Sequence, residues 1–168
     1  MNKIFKSVLY LAACASVFIF VANSFKGSVS PSSQSANASE WNKTVNIYFV
    51  AKEKAATESC EADALVQRTV LSAETLGPGA IDALIKGLKE EEKSTLYSSI
   101  NPATLVQKFE IKEGVAYVDF NSSLNEGVGG SCTVVAIRSQ IENTLTDLPD
   151  IDSVVISVDG QTEGILEP

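Results

Sequence analysis

A chain of 168 residues with 45% hydrophobic and 20% charged side chains holds enough apolar material for one ordinary core, a balance that excludes general disorder. The formal charge is −8; three of the 13 Lys and Arg but only one of the 21 Asp and Glu lie in the first forty residues, so the remainder carries about −10. Such a surface repels phosphate backbones and anionic headgroups, which argues against a nucleic-acid partner. The absence of histidine removes the usual base near neutral pH, the commonest metal ligand and any Ser-His-Asp arrangement.

Lys3 and Lys6 precede an uncharged run from Val8 to Phe25, and Lys26 closes it. At 1.5 Å per residue such a run is about 27 Å long, at the short end of what spans a bilayer. The leading lysines favour a cytoplasmic N-terminus and send the rest outside. Residues 1–26 therefore read as a membrane anchor or signal segment, with the chain a single-pass protein of the cytoplasmic membrane and its domain extracytoplasmic. Two other routes stay open. Ala22-Asn23-Ser24 has the small residues a signal peptidase reads, and Leu11-Ala12-Ala13-Cys14 makes Cys14 a candidate lipidation site. Lipidation at Cys14 would leave ASVFIFVANSF ahead of the polar tether, whereas an uncleaved anchor uses every apolar residue. Residues 27–40, GSVSPSSQSANASE, form a Ser-rich linker too polar to bury much surface. The domain occupies 41–168.

Within the domain, TVNIYFV (Thr44 to Val50) alternates Val45, Ile47 and Phe49 with polar residues, the period of a half-buried strand. AKEKAATESCEA reads as a loop or an elaborated turn, and ALVQRTV (Ala64 to Val70) reads as a second strand. Leu76-Gly77-Pro78-Gly79 starts a helix whose stripe is Ile81, Leu84, Ile85 and Leu88, with Gly87 marking a bend or an end. KEEEK after it reads as a solvated continuation or a turn. Leu105 to Ile111 and Val115 to Phe120 form a hairpin across a three-residue loop, Lys112-Glu113-Gly114. Gly127 to Gly130 opens a loop, and Ser131 is the expected N-cap of a helix carrying Val134, Ile137, Ile141, Leu145 and Leu148. SVVISV (Ser153 to Val158) reads as a central strand buried on both faces, with a short edge at Ile165-Leu166. The order β-β-α-β-β-α-β predicts an α+β two-layer sandwich, two helices packed on a mixed or antiparallel sheet.

Four stretches, TVNIYFV, ALIKGLKEEEKSTLYSSINPATLV, GVAYVDFNSSL and GGSCTVVAIRSQIENTLTDLPDIDSVVISVDG, with the closing EGILEP, resemble the GerMN domain, a sporulation and spore germination domain of bacterial envelope proteins. Family members usually read Gly-Pro where this chain has Gly87-Leu88. The resemblance implies an extracytoplasmic α/β module on membrane-anchored or lipid-anchored proteins, whose best-known bearers act in spore envelope assembly and germination. It implies no shared set of catalytic residues.

Cys60 and Cys132 would share an oxidising compartment, which makes them a candidate disulfide; two free buried cysteines are the alternative. Two thiols without histidine are a poor zinc site. Glu90-Glu91-Glu92 point in different directions on a helix and read as solvated rather than cation-binding. Gly127-Val128-Gly129-Gly130 lacks the Lys-Ser/Thr of a P-loop, so no cofactor is expected. Arg138 reads as a surface or hydrogen-bonded residue. No catalytic residue is assigned. The expected role is non-catalytic, binding an envelope protein complex or a cell-wall polymer through sheet edges or an acidic face. The alternatives are a hydrolase using carboxylates such as Asp119, Asp159 or Glu163, and a homo-oligomer that forms rings or arrays.

Overall fold

The alternation in TVNIYFV sets the first element: Val45, Ile47 and Phe49 are buried in a strand, β1 (Asn42–Ala51), while Thr44, Asn46 and Tyr48 line its other face. The computed structural model describes residues 42–55, 59–71 and 75–167. The anchor, the linker and Cys14 lie outside the described residues. Among those described, no helix is long and apolar enough to cross a membrane.

After β1 come a one-turn helix α1 (Lys52–Ala55), β2 (Ala64–Leu71), α2 (Gly77–Lys86), a two-residue strand β3 (Leu96–Tyr97), β4 (Val106–Lys112), β5 (Val115–Phe120), a 3-10 turn at Ser122–Leu124, α3 (Ser131–Thr146) and β6 (Ser153–Val158). The fold is α+β, with its strands divided between two three-stranded sheets. One is antiparallel, ordered β2-β1-β3. The other, β4-β5-β6, is mixed: β4 and β5 are a hairpin, and α3 is the crossover that lets β6 run parallel to β5. One apolar core joins both sheets to α2 and α3, with Phe49, Ile81, Leu84, Phe120, Ile137 and Ile141 at its centre. Each such side chain, fully buried, contributes about 1.5–3 kcal/mol from area removed from water.

Four expectations are corrected. Among the described residues β6 is an edge strand whose one strand partner is β5, not a central strand. Its β-branched run reads as two-sided burial because Ile156 and Val158 fill the core while Val155 sits half-buried on the opposite face. Ser131 is the first residue of α3 rather than its cap; Gly130, at φ 81°, enters the helix and its carbonyl accepts the Val134 N–H. The hairpin loop is two residues, because Lys112 pairs with Val115. Glu113 and Gly114 (φ 50° and 77°) supply the positive dihedrals a two-residue turn requires. Ile165 and Leu166 are buried but form no strand; the Leu166 N–H donates to Asn125 Oδ1 (2.8 Å) and Arg138 donates to the Ile165 carbonyl (3.3 Å).

Helix α2 stops at Lys86, where Gly87 (φ 78°) closes the last turn by donating to the carbonyls of Ala83 and Leu84, so Leu88 lies beyond the helix. At its other end a Cβ on Gly77 would collide with the Phe109 ring, so glycine there is what lets β4 pack against the start of α2.

Candidate binding surface

A strand edge exposes unpaired backbone donors and acceptors, and the two sides of the β1–β2 pair treat this problem differently. On the side of β1 away from β2, β3 pairs only with Val50 and Ala51. Farther along that strand, α3 and the residue that caps it supply the partners: the Tyr48 N–H donates to Thr144 Oγ1 (3.0 Å), and the Tyr48 hydroxyl and Asn46 side-chain amide donate to Asp147 (3.0 Å each). Partial burial raises the Tyr48 pKa above its ordinary value, and acceptance by the Asp147 carboxylate raises it further. Gln140, fully buried on α3, receives the Ser99 N–H (2.9 Å) and donates to Ser98 Oγ (3.0 Å), which fastens the segment after β3.

Among the described residues, the outer edge of β2 has no strand beside it. Its eight residues pair with β1 in unbroken register, free of bulges, and contain no proline. Its one charge, Arg68, is withdrawn into the fold: the guanidinium donates to Glu92 Oε1 (2.9 Å) and Oε2 (2.5 Å), with both side chains under one fifth exposed. Glu92 also accepts the Lys89 N–H (2.8 Å). Arg68 holds the Glu92 carboxyl below the usual carboxylate range, against a smaller opposing effect of burial. Glu92 is thus a structural ion-pair partner and not part of a solvated run. Leu65 and Leu71 stand 52% and 74% exposed along the same strand.

Beside this edge runs a groove of about 600 Å³ between β2 and α2, lined by Arg68 to Leu71, Pro78, Asp82, Lys86 and Lys89 among others. Past Leu71, Pro78 and Gly79 it meets a second hollow of about 540 Å³ that reaches Phe109, Glu110 and Ile111 on β4. The chain entering β2 is held firmly: Cys60 and Cys132 form a disulfide with Cα atoms 5.3 Å apart. The Ala62 N–H donates to Ser139 Oγ (2.8 Å), and the Ala62 carbonyl accepts from Asn143 (2.7 Å). The free edge therefore starts from a point fixed on α3.

The outer face of the other sheet is a second surface. Tyr117, on the central strand β5, stands between Glu110 of β4 and Val155 of β6; the next row is Lys108, Asp119 and Ser157. Lys112 (2.9 Å) and Lys108 (3.4 Å) both reach Glu110, and Lys112 foremost keeps its carboxyl below the ordinary range. Tyr117, Lys108, Glu110, Lys112, Asp119 and Ser157 surround a hollow of about 470 Å³.

The carboxylates considered for catalysis have different partners. Asp119 Oδ1 accepts from Ser157 Oγ (2.6 Å) and the Gly160 N–H (2.8 Å), Asp159 accepts from Gln107 (2.9 Å), and Glu163 is exposed. Glu90 pairs with Lys93 (2.5 Å). Among the described residues, no three His, Cys, Asp or Glu gather into a group that could hold a metal. The polar contacts of Thr144, Asp147 and Gln140 leave no trace in hydrophobic periodicity. The Arg68–Glu92 pair, 24 residues apart, is equally invisible to local pattern.

A one-core α+β module with a strand edge that no other strand covers among the described residues is the class that fold and surface define. The family model described as Germane, sporulation and spore germination, matches residues 46–164, and the chain belongs to this family. Among solved structures, the tandem GerMN domains of the sporulation protein GerM from Bacillus subtilis are similar in fold (TM-score 0.56, 23% identity, covering 73% of this chain). This chain spans 41% of that tandem structure. The crystal structure of a putative lipoprotein from Clostridium perfringens also aligns (TM-score 0.48, 24% identity, 74% of this chain and 80% of that one). The first GerMN domain of GerM alone aligns with TM-score 0.49 at 20% identity, over 71% of this chain and 85% of that one. No curated protein matches the sequence.

Proposed function

We propose that this chain is an extracytoplasmic, membrane-tethered GerMN module with a non-catalytic role: it holds another protein of the bacterial envelope by strand addition at β2. The observation that carries the reading is the open β2 edge, eight residues in unbroken register whose only charge is neutralised by Glu92. Natural proteins protect such edges with unpaired lysines, prolines or bulges, and an edge without them is fitted to receive an extended segment. Backbone hydrogen bonds would supply affinity, while Leu65, Leu71 and the adjoining groove would select side chains. Family membership and the uncharged run from Val8 to Phe25 support an envelope setting.

The test is a Leu65→Lys/Leu71→Lys double variant of the full chain, which puts charge on the edge at two exposed positions. Solubilised membranes from cells producing the wild type should carry it in a complex larger than its own mass on native gels, and the variant should run alone. A wild type that runs at its own mass would contradict the reading.

A further inference from the structure

We propose that the outer face of the β4–β5–β6 sheet, centred on Tyr117, is a platform for an uncharged pyranose oligosaccharide. This site shares Glu110 with the hollow that adjoins the β2 groove but does not depend on strand addition at the β2 edge. Tyr117 is 42% exposed on the central strand of its sheet, and its ring offers the apolar body and polar tip that make tyrosine a frequent contact residue at binding surfaces. A pyranose offers an apolar C–H face that stacks on such a ring, and a rim of hydroxyls that both donate and accept. The face supplies both kinds of partner: Lys108 and Lys112 donate, and Glu110, Asp119 and Ser157 accept.

The two carboxylates are already engaged before any ligand arrives. Glu110 is held by Lys112 at 2.9 Å and Lys108 at 3.4 Å, and Asp119 by Ser157 at 2.6 Å and the Gly160 N–H at 2.8 Å. Both Asp119 bonds end on Oδ1, so Oδ2 keeps its accepting capacity. Charge selects the ligand class. Two lysines and two carboxylates cancel on this face, and the surrounding domain is strongly acidic, so a polyanion gains nothing and an apolar surface would strand four charges out of water. A neutral polyhydroxylated chain complements it. The hollow of about 470 Å³ lies within the range of small-ligand sites and has room for a sugar or two.

The experiment is calorimetric titration of the full chain, in a zwitterionic detergent free of sugar, with a panel of neutral tetrasaccharides: β-1,4-linked N-acetylglucosamine, β-1,4-linked glucose and α-linked mannose. The wild type should bind at least one saturably. Tyr117→Leu, which keeps the apolar bulk and removes the ring, should weaken that binding at least about tenfold, and Tyr117→Phe should stay within about threefold. Circular dichroism would establish that both variants are folded. No saturable binding to any of the three, or a folded Tyr117→Leu that binds like the wild type, would overturn the proposal. So would a Tyr117-dependent response to a single-stranded oligonucleotide or to phosphatidylglycerol vesicles instead, or a Tyr117-dependent self-association seen by light scattering.

Discussion

Replacing both Cys60 and Cys132 with serine should destabilise the fold by about 4 kcal/mol. The bond closes a segment of 72 residues, from the entry of β2 to the first turn of α3. In the chain-entropy treatment the cost of closing a loop grows with the logarithm of its length, and a segment of this size corresponds to roughly 4 kcal/mol of unfolded-state freedom removed. The native contacts at the same place survive the substitution: Ala62 stays bonded to Ser139 and Asn143, and Val50, Ala62 and Ala136 remain packed together. The change therefore acts almost wholly on the unfolded chain. Urea unfolding of the full chain in zwitterionic detergent, followed by far-UV circular dichroism, measures it; against a typical total of about 5–15 kcal/mol the shift is large. The double variant is compared with the oxidised wild type and with the wild type after thiol reduction, and the two perturbed forms should agree. A loss below about 1 kcal/mol would refute the reasoning. It would mean that the unfolded chain already holds these segments together, or that the Ala62 contacts alone set the position of the loop.

Arg68→Ala should cost about 1–2 kcal/mol near neutral pH, between the values for exposed and buried pairs, because both side chains are mostly covered. Glu92 titrates below its ordinary value of 4.5 in the folded state, so the pair's stabilisation is full above that pH and is lost as pH falls through the lowered value. Acid titration of stability should accordingly show a shallower loss in Arg68→Ala than in the wild type, and parallel curves would count against the pair. Gly77→Ala drives a Cβ into the Phe109 ring and should lower stability by about 1–3 kcal/mol in thermal melts, with Gly77→Ala/Phe109→Leu recovering part of it. Thr144→Val leaves the Tyr48 N–H without its acceptor at 3.0 Å, and urea unfolding should record a loss of about 1–3 kcal/mol.

What the sequence displays and what it hides divide along physical lines. Strands with one wet face are legible: Val45, Ile47 and Phe49 announce β1, and Val118 with Phe120 announces β5. The helical stripes are equally plain, since Ile137, Ile141 and Leu145 bury at the positions their spacing gives. Hidden are the features decided by partners far along the chain. That β1 and β5 lie in different sheets cannot be read from either strand, and β6 looks central because Val155 is β-branched on its half-buried outer face. Thr144 and Gln140 are polar residues buried on α3 because they serve backbone groups of β1 and of the segment after β3. No period marks them. Of the binding surface, the sequence offers the β2 strand and Tyr117 as separate facts. The openness of the β2 edge, the covering of the β1 edge by α3 and the ring of charges about Tyr117 exist only in the folded chain.

Photocrosslinking in living cells tests the central claim most directly. A photoreactive amino acid at Gln67, mid-way along the exposed side of β2, is compared with one at Asp150, in the exposed loop before β6. Strand addition predicts a discrete crosslink to one envelope protein from Gln67, absent from Asp150 and abolished when Leu65→Lys/Leu71→Lys is added. A β2 edge that gives no crosslink beyond that of Asp150, or one that the two lysines leave unchanged, would contradict it.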